Sequence, residues 1–431
     1  MVANLEASVA APLWPLVELR VAGLFGDRAF GLRLDPTATV LTGENGSGKS
    51  TLLRATDFLA KERWTELSLL PFEALTLTFH DGTTLKATNV EDGVELRSQG
   101  EAWTFDRETA AQFDPQTLQQ FRRANLRLRS GSMGSQQVLL RHQAMRAEGG
   151  ELEHILPPKW VVDFVSRLTT KYISARRLEH RLRPDPRSGA EETPTPVVEQ
   201  YADQLGDRMR HQLSRYAAES RQHERNLPAQ IVQAMQTDTE SAEAVARDVD
   251  RLQGDVRDLA DSLARVGLLY EDPEQQLAQY PRHKTEILLA VREVYRVALE
   301  RLEQLTVLRT DLEFFAEFLN RRFSGKQVEL NKDSGLVIRL DNGDTITPSQ
   351  LSSGEQQLLA LSYELLFGTA PNSVVLLDEP ELSLHVTWLK GLLTAFLEMA
   401  EKRRLQFIIA THAPSVFLGH NELEQSLDLA E

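Results

Sequence analysis

The sequence predicts an α/β protein built around a phosphate-binding loop and interrupted by a long helical insertion. Three observations predict it. Gly43-Glu44-Asn45-Gly46-Ser47-Gly48-Lys49-Ser50 fits the pattern G-x-x-x-x-G-K-[ST], in which glycines turn backbone N–H groups toward phosphates. Val374-Val375-Leu376-Leu377 is an apolar run ending in Asp378-Glu379, as expected of a strand buried on both faces that delivers acids to its carboxyl end. Between the two lies a stretch of helical composition and spacing, far longer than a connecting loop.

Taken in order, Thr39-Val40-Leu41 is short and β-prone, and Thr51-Leu52-Leu53-Arg54-Ala55 starts a helix. The loop therefore has a strand–loop–helix setting, and the helix N-terminus adds its dipole to a phosphate site. Gly43, Asn45, Gly46, Ser47, Gly48, Lys49, Ser50 and Thr51 are the expected nucleotide contacts; Lys49 would reach the β/γ oxygens and Ser50 would hold Mg²⁺. A plain glycine loop between strand and helix is the alternative. Residues 74 to 97 alternate as hairpin strands, with Leu75, Leu77 and Phe79 on one face and a turn at Asp81-Gly82. Trp160 to Leu168 reads as a helix and Lys171-Tyr172-Ile173-Ser174 as a strand. Pro184-Asp185-Pro186-Arg187 breaks any regular pattern, and the Pro-, Glu- and Thr-rich stretch up to Pro196 reads as a linker or mobile loop.

Val245, Val249, Leu252, Val256, Leu259, Leu263 and Val266 then follow an alternating spacing of four and three with charges between them, a coiled-coil seam. Leu305, Leu308, Leu312, Phe315 and Leu319 continue the pattern on a returning helix, after breaks at Pro273 and Pro281. A short antiparallel arm is the first expectation and an ordinary helical bundle the second. Val328 to Ile346 returns as two strands around the turn signal Asp341-Asn342-Gly343-Asp344.

Leu351-Ser352-Ser353-Gly354-Glu355-Gln356-Gln357 comes next. Asp378 is read as the carboxylate that holds Mg²⁺ with Ser50, and Glu379 as the base that orients an attacking water. Two acids at a strand end could also cap the next helix. Phe407-Ile408-Ile409-Ala410 reads as one more buried strand, closed by Thr411-His412-Ala413-Pro414. Leu351 to Gln357 resembles the signature motif of ABC-type ATPases, and its place shortly before Asp378 suits that order. Asp378-Glu379-Pro380-Glu381-Leu382-Ser383-Leu384-His385 is similar to the Walker B segment and following loop of the group containing the overcoming-lysogenization-defect nucleases, RecF and Rad50.

The resemblance implies an ABC-type P-loop NTPase head with an inserted α-helical, coiled-coil-like arm. It implies that Ser352, Ser353 and Gly354 contact the γ-phosphate held by an opposite protomer, so that two chains sandwich two ATP·Mg²⁺. It also implies catalytic roles for Lys49, Glu379 and His412, the last as a γ-phosphate sensor; a lone histidine after a strand is more often a satisfied structural one. The expected division is 1–187 for the first half of the head, 197–323 for the arm and 326–431 for the second half. In layout the chain resembles the ATPase subunit of the PARIS anti-phage system, and Septu ATPases.

One departure from the resemblance concerns the Q-loop. The place where related ATPases carry a Q-loop glutamine is held by Arg176, with Gln136 and Gln137 as other candidates. The cluster Arg176, Arg177, His180, Arg181, Arg183 and Arg187 could bind phosphate, nucleic acid or an acidic partner, or simply be a solvated basic loop.

Composition sets the outer limits. A chain of 431 residues with 41% hydrophobic content allows two to three domains with packed cores. The absence of cysteine removes disulfides, thiolate zinc sites and a Rad50-like zinc hook. Met1 to Leu16 is not a convincing signal peptide, and no apolar run approaches the ~20 residues that span a bilayer; a cytoplasmic protein without membrane contact is expected. The formal net charge of −15 disfavours a surface coated in nucleic acid, so DNA binding is expected to be weak or absent. Nothing resembling a TOPRIM nuclease domain follows Phe417. The expectation is therefore a regulatory ATPase that pairs with itself and controls a separate effector, a nuclease by class, in response to a phage-encoded trigger. The alternative is a RecF/Rad50-like repair clamp on duplex DNA. A transporter ATPase fits less well, given the inserted arm.

Overall fold

The computed structural model describes residues 14–111, 155, 157–174, 196–269, 281, 284–382, 384, 386–389 and 391–427. The chain forms two compact units. The first joins Met1–Arg177 to Gly368–Glu431, and the second is Leu178–Phe367. The second unit holds the strands before Leu351, and the Leu351–Gln357 segment itself, together with the helical insertion.

The first unit begins with β1 (Leu16–Leu24), β2 (Arg28–Arg33) and β3 (Ala38–Thr42), followed by the phosphate-loop segment and α1 (Lys49–Ala60). After α2 (Trp64–Ser68) come β4 (Ala74–Phe79), β5 (Thr84–Val90), β6 (Gly93–Ser98) and β7 (Glu101–Asp106). Leu75, Leu77 and Phe79 alternate inward on β4, and Thr83 N–H donates to Asp81 Oδ1 at 2.9 Å across the expected Asp81-Gly82 turn. These strands pair as the expected antiparallel hairpins. They extend into a six-stranded antiparallel sheet in the order β2-β1-β4-β5-β6-β7. Past α3 (Lys159–Arg167), β8 (Thr170–Ile173) enters a different sheet.

The second unit opens with α4 (Val197–Thr237), α5 (Ala242–Arg265) and α6 (Thr285–Glu303). The seam lies on α5, with Val245, Val249, Val256 and Leu263 buried. Its main partner is α6, which also packs against α4, making a three-helix assembly. The pairing expected of Leu305 to Leu319 is corrected here. Those residues lie on and just before α7 (Thr306–Asn320), which packs chiefly on β9 (Lys326–Asn331) and α8 (Ser353–Leu366). Leucine spacing sets which face of a helix is apolar but not which neighbour covers it, and α6 presents Leu288, Leu289, Val291, Tyr295 and Val297, a wider stripe than a two-helix seam needs. Between β9 and α8 run β10 (Gly335–Leu340) and β11 (Thr345–Ile346), so the expected two strands are three, in the order β11-β10-β9. Gly335, at φ +76°, is required: a Cβ there would lie 1.7 Å from Ala202 O of α4.

The chain then returns to the first unit with β12 (Val374–Asp378), α9 (Leu392–Arg403), β13 (Gln406–Ala410) and β14 (Glu424–Ser426). They complete a five-stranded parallel sheet in the order β14-β3-β13-β12-β8. Every residue of β12 and β13 is buried, as continuous apolar runs in a covered parallel sheet should be. A buried glutamine ties this sheet to the antiparallel one. Gln406 is 0% exposed; its Oε1 accepts from Leu16 N at 2.9 Å, and its Nε2 donates to Leu16 O at 2.7 Å and Asp35 O at 2.8 Å. A leucine of similar size would leave those three backbone groups without this partner. At about 1–3 kcal/mol for each buried unsatisfied group, Gln406→Leu is expected to cost about 3 kcal/mol or more, read as a lowered midpoint in denaturant unfolding. A loss below about 1 kcal/mol would show that the two sheets do not depend on this bond set.

Candidate nucleotide site

The parallel register brings the functional segments together. With Asp378 paired to Ala410, and β3 and β8 flanking the pair of strands, the carboxyl ends of all four point to one edge of the sheet. The phosphate-loop segment leaves β3 at that edge. Gly43, Gly46 and Gly48 have φ of 140°, 80° and 106°, backbone that side-chain-bearing residues rarely adopt. Gly48 is also a contact point, since a Cβ on it would meet Leu24 Cδ2 at 2.4 Å. Lys49 is only 4% exposed. Its Nζ donates to Gly43 O at 2.8 Å, Glu44 O at 3.0 Å and Ser47 Oγ at 3.2 Å, so the loop curls around its own ammonium. Arg28 Nη1 donates to Gly46 O at 3.0 Å from outside, and Asn45 and Gly46 are exposed at the crest. Thr51 follows on the first turn of α1.

Asp378 is the meeting point. Its Oδ1 accepts from Ser50 Oγ at 2.7 Å and its Oδ2 from Tyr172 OH at 2.8 Å. Burial, reinforced by the Asp378 charge, pushes the Tyr172 hydroxyl above its ordinary value, so it remains a donor at neutral pH. A serine hydroxyl and a carboxylate converging within hydrogen-bond distance are the hard oxygen donors that Mg²⁺ takes together with phosphate oxygens. Among the described residues there is no cluster of three or more His, Cys, Asp or Glu that could hold a metal alone, and Mg²⁺ in nucleotide sites needs none. The donor types gathered here, a serine hydroxyl and a carboxylate beside a glycine-rich loop with a buried lysine, therefore fit Mg·nucleotide.

Glu379 takes φ +47°, and its N–H donates to Ala410 O at 2.8 Å. That turn sets its carboxylate beside the neighbouring strand end, where His412 Nε2 lies 3.8 Å from Glu379 Oε1. Glu381 Oε1 accepts from Thr411 Oγ1 at 2.6 Å and His412 N at 3.0 Å. Lys49, Ser50, Asp378, Glu379 and His412 thus belong to one unit. Ser352, Ser353 and Gly354 belong to the other.

In that second unit the signature-like segment is built as a capped helix start. Ser352 is the N-cap of α8, accepting from Glu355 N at 3.4 Å, while its N–H and Oγ both donate to Glu355 Oε2 at 2.8 Å. Lys326 Nζ donates to Glu355 Oε1 at 2.7 Å, and Gln356 Nε2 fastens the preceding turn through Ser349 O and Leu351 O. Glu355 is buried beneath, whereas Ser352 and Ser353 are exposed.

Sequence reasoning missed Tyr172, Glu381, Arg28 and Lys326 as members of these constellations. Each is an ordinary strand or turn residue until its distant partner is placed. Gln136, Gln137, Arg176, Arg177, His180, Arg181, Arg183, Arg187, Ser383 and His385 lie outside the described residues.

Comparison with known families gives one match, over residues 165–418, to the family described as "AAA domain, putative AbiEii toxin, Type IV TA system". The chain belongs to this family. The match starts downstream of the phosphate loop, and the Ser50–Asp378 bond joins that loop to the matched segment. The fold is thus that of a P-loop ATPase domain of the AAA type, built on an α/β head. No curated protein matches the chain. Among solved structures it is similar to the Smc head domain of Pyrococcus furiosus, with an extended coiled coil and bound to the C-terminal domain of ScpA, at 15% identity and TM-score 0.40, covering 94% of this chain and 91% of that one. It is also similar to the SMC head domain from Thermotoga maritima, at 14% identity and TM-score 0.38, covering 96% and 94%. No helix among the described residues is long and apolar enough to cross a membrane.

The Glu355 staple makes a pH prediction. Burial alone would raise this carboxyl; the Lys326 ammonium and the Ser352 hydroxyl and N–H outweigh it and hold the group below its ordinary value. A carboxyl depressed on folding contributes stability above its unfolded value, about 4.5, and loses it as pH falls through the folded value. Glu355→Gln is therefore expected to melt below the parent at neutral pH, with the gap closing as pH drops below that range. A gap independent of pH in melts recorded from pH 7 down to acid would show that the charge is not what holds Ser352.

Proposed function

We propose that this AAA-family chain binds and hydrolyses ATP with Mg²⁺ and uses the cycle to control a separate effector, a nuclease by class, in bacterial anti-phage defence of the PARIS kind. The observation that carries the enzymatic part is the double hydrogen bond to Asp378, which draws Ser50 and Tyr172 to one carboxylate at the sheet edge where Glu379 and His412 also lie. The family description, which couples an AAA domain to a toxin–antitoxin system, supports the two-component part.

On this reading Lys49 exchanges the carbonyls of Gly43 and Glu44 for phosphate oxygens, keeping its charge partnered throughout. Ser50 and Asp378 would hold Mg²⁺, which supplies charge neutralisation on the β- and γ-oxygens. Glu379 orients the attacking water and takes its proton, and His412, beside it, reads the γ-phosphate position. Ser352, Ser353 and Gly354 present the N-terminus of α8 to the nucleotide of a second protomer, giving a homodimer with two composite sites. A phage-encoded trigger would shift the balance between paired and unpaired heads, and the protein would act in the cytoplasm.

Glu379→Gln is expected to keep ATP binding and lower steady-state phosphate release by about 10²–10⁴-fold, the usual worth of a general base, while trapping a dimer. Lys49→Ala should weaken nucleotide binding itself. Parental turnover in Glu379→Gln would remove Glu379 from the chemistry. Ser353→Arg should abolish hydrolysis while sparing binding, and mixing it with Lys49→Ala should restore one intact site per heterodimer. A mixture no more active than its parents would dispose of the composite site.

The regulatory part is tested by co-purification. An effector encoded beside this chain should associate with it in a complex whose lifetime shortens in Lys49→Ala and lengthens in Glu379→Gln. Duplex DNA should bind weakly, with affinity falling steeply as salt rises. Tight, ATP-dependent DNA binding at physiological salt by the chain alone would favour a repair clamp instead.

A further inference from the structure

Two loops meet at the edge where Glu379 and His412 lie, and one carboxylate oxygen takes two bonds between them. Glu381 lies in the turn after Glu379, where Leu382 N donates to Glu379 O at 3.2 Å. Its Oε1 receives both the Thr411 hydroxyl at 2.6 Å and the His412 N–H at 3.0 Å. The Thr411 hydroxyl accepts in turn from Ala413 N at 3.0 Å, and Thr411 N donates to Leu41 O at 3.1 Å at the root of the phosphate loop. The backbone on both sides of His412 is thus fixed by bonds that converge on Glu381. The His412 ring ends 3.8 Å from Glu379, close enough for a small shift of the loop to make or break the approach. Oε2 of Glu381 is buried and accepts no hydrogen bond among the described residues, so Glu381 holds the 411–413 loop through Oε1, while Glu379 N–H holds the root of the turn to Ala410 O at 2.8 Å.

We propose that Glu381 is the positioning residue of the switch: it locks the 411–413 loop to the 379–382 turn, so that displacement of His412 by a nucleotide's terminal phosphate moves Glu379, and the reverse. The proposal rests on the reading of Glu379 and His412 given above. It adds that the two act as one rigid element, because one side-chain oxygen bonded at once to the Thr411 hydroxyl and the His412 N–H resists independent motion of its parts. Glu381 itself touches neither phosphate nor water on this account, which separates it from Glu379.

The chemistry of the junction chooses the variants. Since one oxygen takes both donors, Glu381→Gln can keep both bonds through its carbonyl and lose only the charge. Glu381→Ala loses the junction, and Thr411→Val loses the hydroxyl half of it. ATP affinity, measured by equilibrium binding, should stay within about twofold of the parent in all three. The turnover number should fall about 10–100-fold in Glu381→Ala, the usual effect of removing an orienting partner, and by less in Thr411→Val. It should recover to within a few-fold of the parent in Glu381→Gln. Amide hydrogen exchange over 411–413 should quicken in Glu381→Ala and not in Glu381→Gln. In a Glu379→Gln background, Glu381→Ala should add almost nothing, since residues that act as one element are not additive.

Parental turnover in Glu381→Ala, alongside loss of turnover in Glu379→Gln and His412→Ala, would overturn the proposal while leaving the site reading intact. Parental turnover in all three would overturn both. A Glu381→Gln variant as inactive as Glu381→Ala would show that the charge itself enters the reaction and would overturn the positioning role. Should Glu381→Ala fail to fold, the Thr411→Val and Glu381→Gln pair decides by the same criteria, with loss in the first and recovery in the second as the supporting result.

Discussion

The site depends on one carboxylate, Asp378, receiving hydroxyls from two segments that sequence keeps far apart. Ser50 is 328 residues away and Tyr172 is 206. A buried carboxylate must find donors or be costly, and here the donors are the first turn of α1 and the edge strand β8. The same pair of bonds that satisfies Asp378 therefore sets the phosphate loop against β12. The parallel register does the rest. Because β3, β12, β13 and β8 all run the same way, their carboxyl ends share an edge, and loop, acid pair and histidine meet without any one of them reaching.

That arrangement needs a sheet that does not shift, and the first unit supplies two buried polar anchors. Gln406 fastens the start of β13 to Leu16 and Asp35. At the far side of the sheet, Asp57 of α1 accepts from Thr170 Oγ1 at 2.9 Å and pairs with Lys61 at 2.6 Å. Each anchor joins a helix or strand to backbone or side chains of another layer, where hydrophobic contact alone would tolerate sliding. Apolar packing supplies the bulk of the stability and is non-directional; these hydrogen bonds fix the register.

How much of this was legible follows from the range of each signal. The phosphate loop, the apolar run into Asp378-Glu379 and the strand before Thr411-His412 are local patterns, and the structure places all three as strands and loop of one sheet. β1 was not legible, although it is an interior strand of the antiparallel sheet, between β2 and β4. Its pairing shifts register near both ends, between Leu16 and Glu18 and between Val21 and Leu24, and such irregularities erase the period of two on which strand reading relies. The helix pairing failed for another reason. Both α6 and α7 carry leucines at compatible spacing, and nothing in that spacing says which returns to α5. Tyr172 and Glu381 were invisible because their roles exist only once their partners are in place: a tyrosine in a strand and a glutamate in a turn are unremarkable in sequence.

Glu379 shows what such a site asks of its backbone. It is one of the non-glycine residues held at positive φ, a conformation that costs a side-chain-bearing residue about 1–2 kcal/mol. Glycine would remove the strain and with it the carboxylate. Its N–H bond to Ala410 O fixes the turn against β13, while Leu382 N closes it from the other side. The chain is thereby held where the Glu379 side chain leaves the sheet toward His412 instead of following the line of β12 into the interior. A carboxylate that continued inward would need a buried partner of its own, as Asp378 does. Turned outward, it is partly exposed and, among the described residues, has His412 Nε2 at 3.8 Å beside it. The local strain and the different surroundings of two adjacent acids therefore have the same cause.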